Sequence, residues 1–159
     1  MRKALSALVI ALVLGWSSVV HAGDYRKGLE AWGAGDYVTA FREWRELADQ
    51  GLPKAQSALG LMYQDGQGVA QDYAEAVKWF RLAAEQGFPQ AQHNLGVSYF
   101  VGRSVPQDYI AAHKWFNLAA VQEELAEKLR GAVASLMTRD QIAEAQKLAR
   151  EWLAKHQKN

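Results

Sequence analysis

Residues 55–86 read AQSALGLMYQDGQGVAQDYAEAVKWFRLAAEQ, and residues 91–122 repeat them as AQHNLGVSYFVGRSVPQDYIAAHKWFNLAAVQ. Eighteen of the 32 aligned positions are identical, at a constant separation of 36 residues. A fixed period between twenty and fifty residues is typical of solenoids, in which each repeat packs only against its neighbours. Because solenoids present extended binding surfaces, the repeat points to a binding protein rather than to a catalyst.

Each copy is predicted to form two helices joined by a glycine-containing turn. In the first copy, Leu59 lies on the apolar face of a helix that ends at the turn 65–68. Asp72 is placed to cap the second helix by accepting backbone N–H bonds. Trp79 and Phe80 fall on that helix's apolar stripe, so we expect them in the core rather than on a ligand-stacking platform. The second copy repeats these parts at Leu95, Asp108, Trp115 and Phe116.

Glycine recurs inside the first helix of both copies, at Gly60 and Gly96. Glycine within a helix costs about 1 kcal/mol relative to alanine, so its recurrence predicts that a second helix approaches closely at this point. The turns differ between the copies, because Ser104 replaces the second glycine and Pro106 follows it. We therefore expect the second turn to be stiffer than the first.

Divergent segments flank the two copies. Residues 23–54 form a shorter unit, with a first helix expected over 25–33 and a second beginning at Gly35–Asp36–Tyr37. After residue 122 the period fails, and residues 123–157 are predicted to form a capping pair of helices that covers the last apolar face of the solenoid. Its first helix, over 123–137, is expected to bury Leu125, Leu129, Val133 and Leu136. Its second begins at the capping box Thr138–Gln141 and is expected to bury Ile142, Ala145, Ala149, Trp152 and Leu153.

The first 22 residues have the pattern of a secretory signal peptide. Arg2 and Lys3 precede an apolar run from Ala4 to Trp16, and small residues end the segment at Ala22. The apolar run is shorter than the roughly 20 residues that a membrane span needs, which disfavours an uncleaved anchor. We therefore expect cleavage after Ala22, a periplasmic or secreted protein, and no membrane span in the mature chain.

Composition excludes several classes of function. The chain has 159 residues, enough for one domain, and a formal net charge of +1 without a basic stripe, so nucleic acid is not a predicted partner. It contains no cysteine, which excludes disulfides, thiolate metal sites and a cysteine nucleophile. The turn 65–68 follows a helix and lacks the Lys–Ser/Thr ending of a phosphate loop. No catalytic residue, cofactor site or metal site is predicted, and His93 and His113 are interpreted as surface or groove histidines.

The pattern AQxxLGxxYxxGxGVxxDYxxAxxWFxxAAxxG resembles the Sel1-like repeat, a relative of the tetratricopeptide repeat. Residues 55–90 and 91–122 carry it, and residues 24–54 are similar to a tetratricopeptide repeat with a short turn. The resemblance implies an all-α fold, an α/α solenoid forming a right-handed superhelix of helix–turn–helix repeats, here with C-terminal capping helices. It also implies an adaptor or scaffold that binds other proteins, often in exported bacterial members.

An alternative also comes from this resemblance, because a cysteine-rich branch of the family has been credited with β-lactam binding or hydrolysis. The alternative function is therefore an enzyme acting on cell-wall material or β-lactams. This chain lacks every cysteine of that branch, and it contains no Ser-x-x-Lys stretch. Both absences favour the interaction module.

The resemblance to tetratricopeptide repeats further implies that the first helix of each unit lines a concave groove. The residues predicted to line the partner-binding groove are Tyr25, Leu29, Trp32, Lys54, Ser57, Leu61, Gln64, Gln90, His93, Val97 and Phe100, with Asp65 and Val101 at its ends. Leu61, Val97 and Phe100 are apolar at positions that should leave the core, which predicts a groove for a protein or peptide. Two interpretations stay open: the groove accepts a partner, or the final helix fills it through Ile142, Trp152 and Leu153.

Overall fold

The computed structural model describes residues 25–156, and within this range the chain forms eight α-helices and no β-strand. Residues 1–24, which include the predicted signal peptide, and residues 157–159 lie outside the described range. The helices are α1 (25–33), α2 (Tyr37–Asp49), α3 (Pro53–Asp65), α4 (Tyr73–Glu85), α5 (Pro89–Val101), α6 (Tyr109–Ala119), α7 (Glu124–Ala134) and α8 (Arg139–His156).

The helices pack in the order of the sequence. α3 lies between α2 and α4, α5 lies between α4 and α6, and α7 packs against α6. Each pair is therefore held mainly by its neighbours, as in an α/α solenoid, and the predicted all-α fold class is confirmed.

Local sequence signals explain where the helices begin. The Asp36, Asp72 and Asp108 carboxylates accept backbone N–H bonds at the starts of α2, α4 and α6, at distances of 2.9–3.1 Å. Pro53 and Pro89 are the first residues of α3 and α5, where a missing N–H has no helical partner to lose. The predicted capping box is also present, with reciprocal bonds of 2.8 and 3.2 Å between Thr138 and Gln141.

Close contacts between glycine and an aromatic ring join the two helices of each unit. A Cβ atom at Gly60 would lie 2.4 Å from Cε1 of Phe80, and one at Gly96 would lie 2.8 Å from Cδ1 of Phe116. In the divergent first unit, a Cβ atom at Gly28 would lie 2.1 Å from Nε1 of Trp44. The predicted close approach is confirmed, and it extends to the unit that matches the repeat least.

The turns show how the second copy accommodates its different residues. Gly66 and Gly102 end α3 and α5 in the left-handed conformation, with φ of 68° and 75°. Ser104 takes the same conformation, with φ of 59°, where the first copy has Gly68 with φ of 71°. A left-handed non-glycine residue is strained by roughly 1 kcal/mol, so this turn is held in place by its surroundings.

The core consists of the residues that the repeat shares. Trp79, Phe80, Trp115 and Phe116 are at most 8% exposed, as predicted from their place on the apolar stripes. The prediction for α7 is partly wrong, since Leu125 and Leu136 are more than half exposed while Ala126 and Val133 are buried. These two leucines stay uncovered because α8 packs against α6 rather than continuing the stack beyond α7.

The final helix lies against the second helices of the repeats. Ala145 and Ala149 are fully buried, and the Trp152 ring is 6.3 Å from that of Trp115 on α6 in an edge-to-face arrangement. The Trp152 indole N–H donates to Glu85 at the end of α4, over 2.9 Å. The interpretation in which this helix fills the groove is therefore wrong, because its apolar face packs against second helices of the repeats rather than against the first helices that line the groove.

The two repeat histidines are more enclosed than predicted. His113 on α6 is only 3% exposed, so its interpretation as a surface or groove histidine is wrong. Its ring Nδ1 has no hydrogen-bond partner among the described residues. Burial, together with the positive charge of Arg130 on α7, lowers the pKa of His113 below its ordinary value of 6.5.

Replacing the contact glycine should test the packing between paired helices. We expect Gly60→Ala to lower the free energy of unfolding by about 1–3 kcal/mol, because the new methyl group overlaps the Phe80 ring. Gly131→Ala is the control: it lies within α7, and a Cβ atom there meets no described atom within 4 Å. That variant should gain about 0.5–1 kcal/mol from helix propensity. Equal effects of the two variants in urea denaturation would contradict this account.

Acidification should destabilise the protein through His113. Above its unfolded-state pKa the residue is neutral in both states; below it, the unfolded chain takes up a proton that the folded chain resists. Stability is thus lost as the pH falls from about 6.5 toward the lower folded pKa. His113→Gln should reduce the difference in unfolding free energy between about pH 7 and pH 5, because glutamine takes up no proton in this range. An unchanged pH dependence in His113→Gln would refute the assignment.

Candidate functional site

An open cavity of about 250 Å³ lies between α1, α3 and the start of α5. Its lining residues are Tyr25, Leu29, Trp32, Trp44, Lys54, Ala58, Leu61, Asp65 and Gln90. We call it the inner pocket. Residues from three first helices meet there, and α8 contributes none of the lining. The inner face of the solenoid is therefore open at this position.

Aromatic rings form one wall of the inner pocket. The Tyr25 ring stacks on Trp44 with centroids 5.5 Å apart, and the Trp32 ring lies 5.6 Å from Trp44. The Trp44 indole N–H donates to the backbone carbonyl of Tyr25 over 3.2 Å, which fixes the indole orientation. Burial raises the pKa of Tyr25 above its usual value of 10.0. The wall is thus a preformed apolar surface rather than a set of freely rotating side chains.

Opposite charges stand at the two ends of the inner pocket. The Lys54 ammonium at the start of α3 lies 4.4 Å from the centroid of the Tyr25 ring. The Asp65 carboxylate, the last residue of α3, accepts a weak bond of 3.4 Å from the Gln64 amide. Within the described chain neither Lys54 nor Asp65 forms an ion pair. Both groups are exposed and therefore available to a ligand.

Part of the predicted groove coincides with the inner pocket. The predicted residues that line it are Tyr25, Leu29, Trp32, Lys54, Leu61 and Gln90, together with Asp65 from the predicted ends. Two lining residues were not predicted, Ala58 and Trp44. Trp44 lies on the apolar stripe of α2, which predicts a position in the core. It corresponds to Phe80 of the next unit, and both rings lie against a glycine of the preceding helix. This correspondence is the signal that places the Trp44 ring beside α1.

The other predicted groove residues lie elsewhere. Ser57 is only 1% exposed, because α2 and α4 pack on both sides of α3. The solvent-exposed face of α3 is therefore narrower than helical geometry alone suggests. Val97 and Phe100 are half-buried against a cluster formed by α6 and α7, so their apolar surface already has a partner. Gln64 is half-buried and lies outside the lining of the inner pocket.

His93 is also turned away from the pocket. Its ring lies 5.9 Å from that of Phe116, and its side chain is 14% exposed. Its Nδ1 is 3.6 Å from the Glu123 carboxylate, too long for a hydrogen bond. The apolar stripe predicted from Leu61, Val97 and Phe100 is therefore interrupted, and only Leu61 of the three reaches the inner pocket.

Two further features bear on the chemistry that residues 25–156 can support. In this range no group of three or more His, Asp or Glu residues is close enough to hold a metal ion. None of the helices described there combines the length and apolarity needed to cross a membrane.

Comparison with known proteins identifies the repeats. The Sel1 repeat family matches residues 53–88 and 89–122. A protective antigen present in uropathogenic Escherichia coli strains, which displays an SLR fold, is similar over 86% of this chain, with 28% identity and a TM-score of 0.81. A Sel1 repeat protein from Oxalobacter formigenes is similar over 81%, with 30% identity and a TM-score of 0.66. Among curated proteins, none matches this chain.

This chain is shorter than both solved relatives. The match covers 30% of the Escherichia coli protein and 54% of the Oxalobacter formigenes protein. The chain carries two Sel1 repeats and has the solenoid fold of proteins built from them.

Proposed function

We propose that this Sel1-repeat protein is an interaction module, not an enzyme, and that it binds a protein or peptide partner in the inner pocket. Sel1 repeats generally act as scaffolds for protein–protein interactions. The observation that carries the proposal is an open, rigid, largely apolar pocket on the inner face of the solenoid. Leu29 remains 45% exposed there, and α8, which could have covered it, packs elsewhere.

The size of the pocket sets the expected chemistry of binding. A cavity of about 250 Å³ accepts one or two large apolar side chains, not a whole folded domain. Burying each such side chain contributes about 1.5–3 kcal/mol, which supplies most of the affinity. Lys54, Asp65 and Gln90 at the rim add selectivity, because a ligand must pair with these groups or leave them solvated.

We also propose that the protein works outside the cytoplasm, in the periplasm or after secretion. The support is the pattern of residues 1–22, in which a short basic start precedes an apolar run and small residues near Ala22. The lack of cysteine is compatible with an oxidising compartment, because no thiol can form a wrong disulfide.

The binding proposal is tested by a matched pair of leucine substitutions. Leu29 in the inner pocket and Leu82 on α4 are similarly exposed, at 45% and 50%. Purified wild type, Leu29→Asp and Leu82→Asp proteins would each be cross-linked to an envelope fraction, and the captured proteins quantified by mass spectrometry. We expect Leu29→Asp to reduce the specific capture at least about tenfold, and Leu82→Asp to leave it unchanged.

Leu61→Asp provides a second variant in the pocket lining. The Leu61 side chain also packs against the core, so the folding of this variant has to be checked. Circular dichroism would establish that each variant is folded. Capture that is identical in Leu29→Asp, Leu61→Asp and wild type would refute the pocket as the binding site. Turnover of a chromogenic β-lactam by the pure wild-type protein would instead support the enzymatic alternative.

Export is tested by the intact mass of protein recovered from its producing cells. We expect a chain that begins at Gly23, because the signal peptidase would cut after Ala22. Replacing Ala22 with a bulky residue, as in Ala22→Trp, should block this cleavage and leave the longer chain. Recovery of the wild-type protein with residues 1–22 still attached would contradict the proposal.

A further inference from the structure

The charged ends of the inner pocket define a distance. Lys54 and Asp65 are eleven residues apart on α3, which at 1.5 Å per residue separates their backbones by about 16 Å. Leu29, Ala58 and Leu61 lie on the lining between them. A matching ligand segment therefore has an apolar centre and polar ends about three helical turns apart.

The walls of the pocket favour a helical ligand over an extended one. They are built from helices, whose backbone N–H and C=O groups are bonded within each helix except in its first and last turns. An extended peptide would bring unpaired backbone groups to the middle of the pocket, where Leu29, Ala58 and Leu61 offer no polar side chain. A helix satisfies its own backbone and can place apolar side chains from one face into the pocket.

The two charges are not part of the repeat. Lys54 corresponds to Gln90 in the next copy, and Asp65 corresponds to Val101. Asp65 is moreover at the C-terminal end of α3, where a negative charge is unfavourable because the helix dipole is negative there. Neither charge has an ion-pair partner among the described residues, so a ligand of complementary charge would supply both partners.

We infer that the partner segment is an amphipathic helix that runs antiparallel to α3, with a basic residue at its N-terminal end beside Asp65 and an acidic residue at its C-terminal end beside Lys54. This orientation also places the positive end of the ligand's dipole near Asp65 and its negative end near Lys54. The inference rests on the proposed function and specifies the chemistry of the partner.

Disulfide trapping measures the orientation directly, because the chain has no cysteine of its own. The probe is an acetylated and amidated peptide of about 14 residues, held helical by a lactam on its outer face, with lysines in its first turn, leucines at its centre and glutamates in its last turn. Each peptide carries one cysteine at its first or last residue. The protein carries either Gln64→Cys, next to Asp65, or Gln90→Cys, the equivalent of Lys54 in the neighbouring repeat.

We expect Gln64→Cys to trap the N-terminal cysteine of the peptide, and Gln90→Cys its C-terminal cysteine, each at least about fivefold faster than the opposite end. Adding Lys54→Glu and Asp65→Lys together should reverse this preference, since both charge complementarities change sign. A matched peptide with glutamine at both ends should show a preference reduced toward that of the dipole alone. High salt should weaken the preference, because the paired charges are exposed.

Equal trapping at both ends, or a preference that the charge reversal leaves unchanged, would overturn the inference. If that trapping still disappears in Leu29→Asp, the pocket binds apolar segments and the proposed function stands without the orientation. No trapping at either position would also overturn the inference, and capture of partners by the wild-type protein would then decide the proposed function separately. If trapping occurs only when a dimer of the full chain dissociates, the occupant of the pocket is a second copy of this chain. That result would also overturn the inference.

Discussion

The contact between a glycine of one helix and an aromatic ring of the next determines how this solenoid is built. It occurs between Gly60 and Phe80, and again between Gly96 and Phe116. Because no side chain separates the paired helices, the ring fills the space directly against the backbone, and both phenylalanines are fully buried. The spacing of paired helices, and hence the position of every first helix on the inner face, follows from this contact.

The inner pocket arises where the contact between glycine and an aromatic ring is made by a residue larger than phenylalanine. Trp44 takes the place of phenylalanine opposite Gly28, and its ring stacks on Tyr25 and approaches Trp32. The indole extends beyond the contact to the space between α1 and α3, where it joins the pocket lining. In the second Sel1 repeat, Phe100 packs against the cluster formed by α6 and α7. The pocket is therefore lined mainly by the divergent unit and the first helix of the repeat that follows it.

The sequence predicts those parts of the structure that depend on local geometry. Helix starts at Asp72 and Thr138, and the close approach at Gly60, follow from the residues themselves and their nearest neighbours in the chain. The burial of Ser57 and His113 does not, because it depends on how tightly three helices enclose a fourth. The sequence also does not predict against which helices α8 packs, since its apolar face could cover either the first or the second helices of the solenoid.

The packing of α8 against the second helices has a functional consequence. Its last turns are tied to the second helices by the Trp152 contacts with Trp115 and Glu85. Lys54 and Asp65 on the inner face take part neither in these contacts nor in the glycine contacts. Lys54 and Asp65 differ from their counterparts in the next repeat while the packing residues stay the same. A solenoid arranged in this way can change what it binds without changing what holds it together.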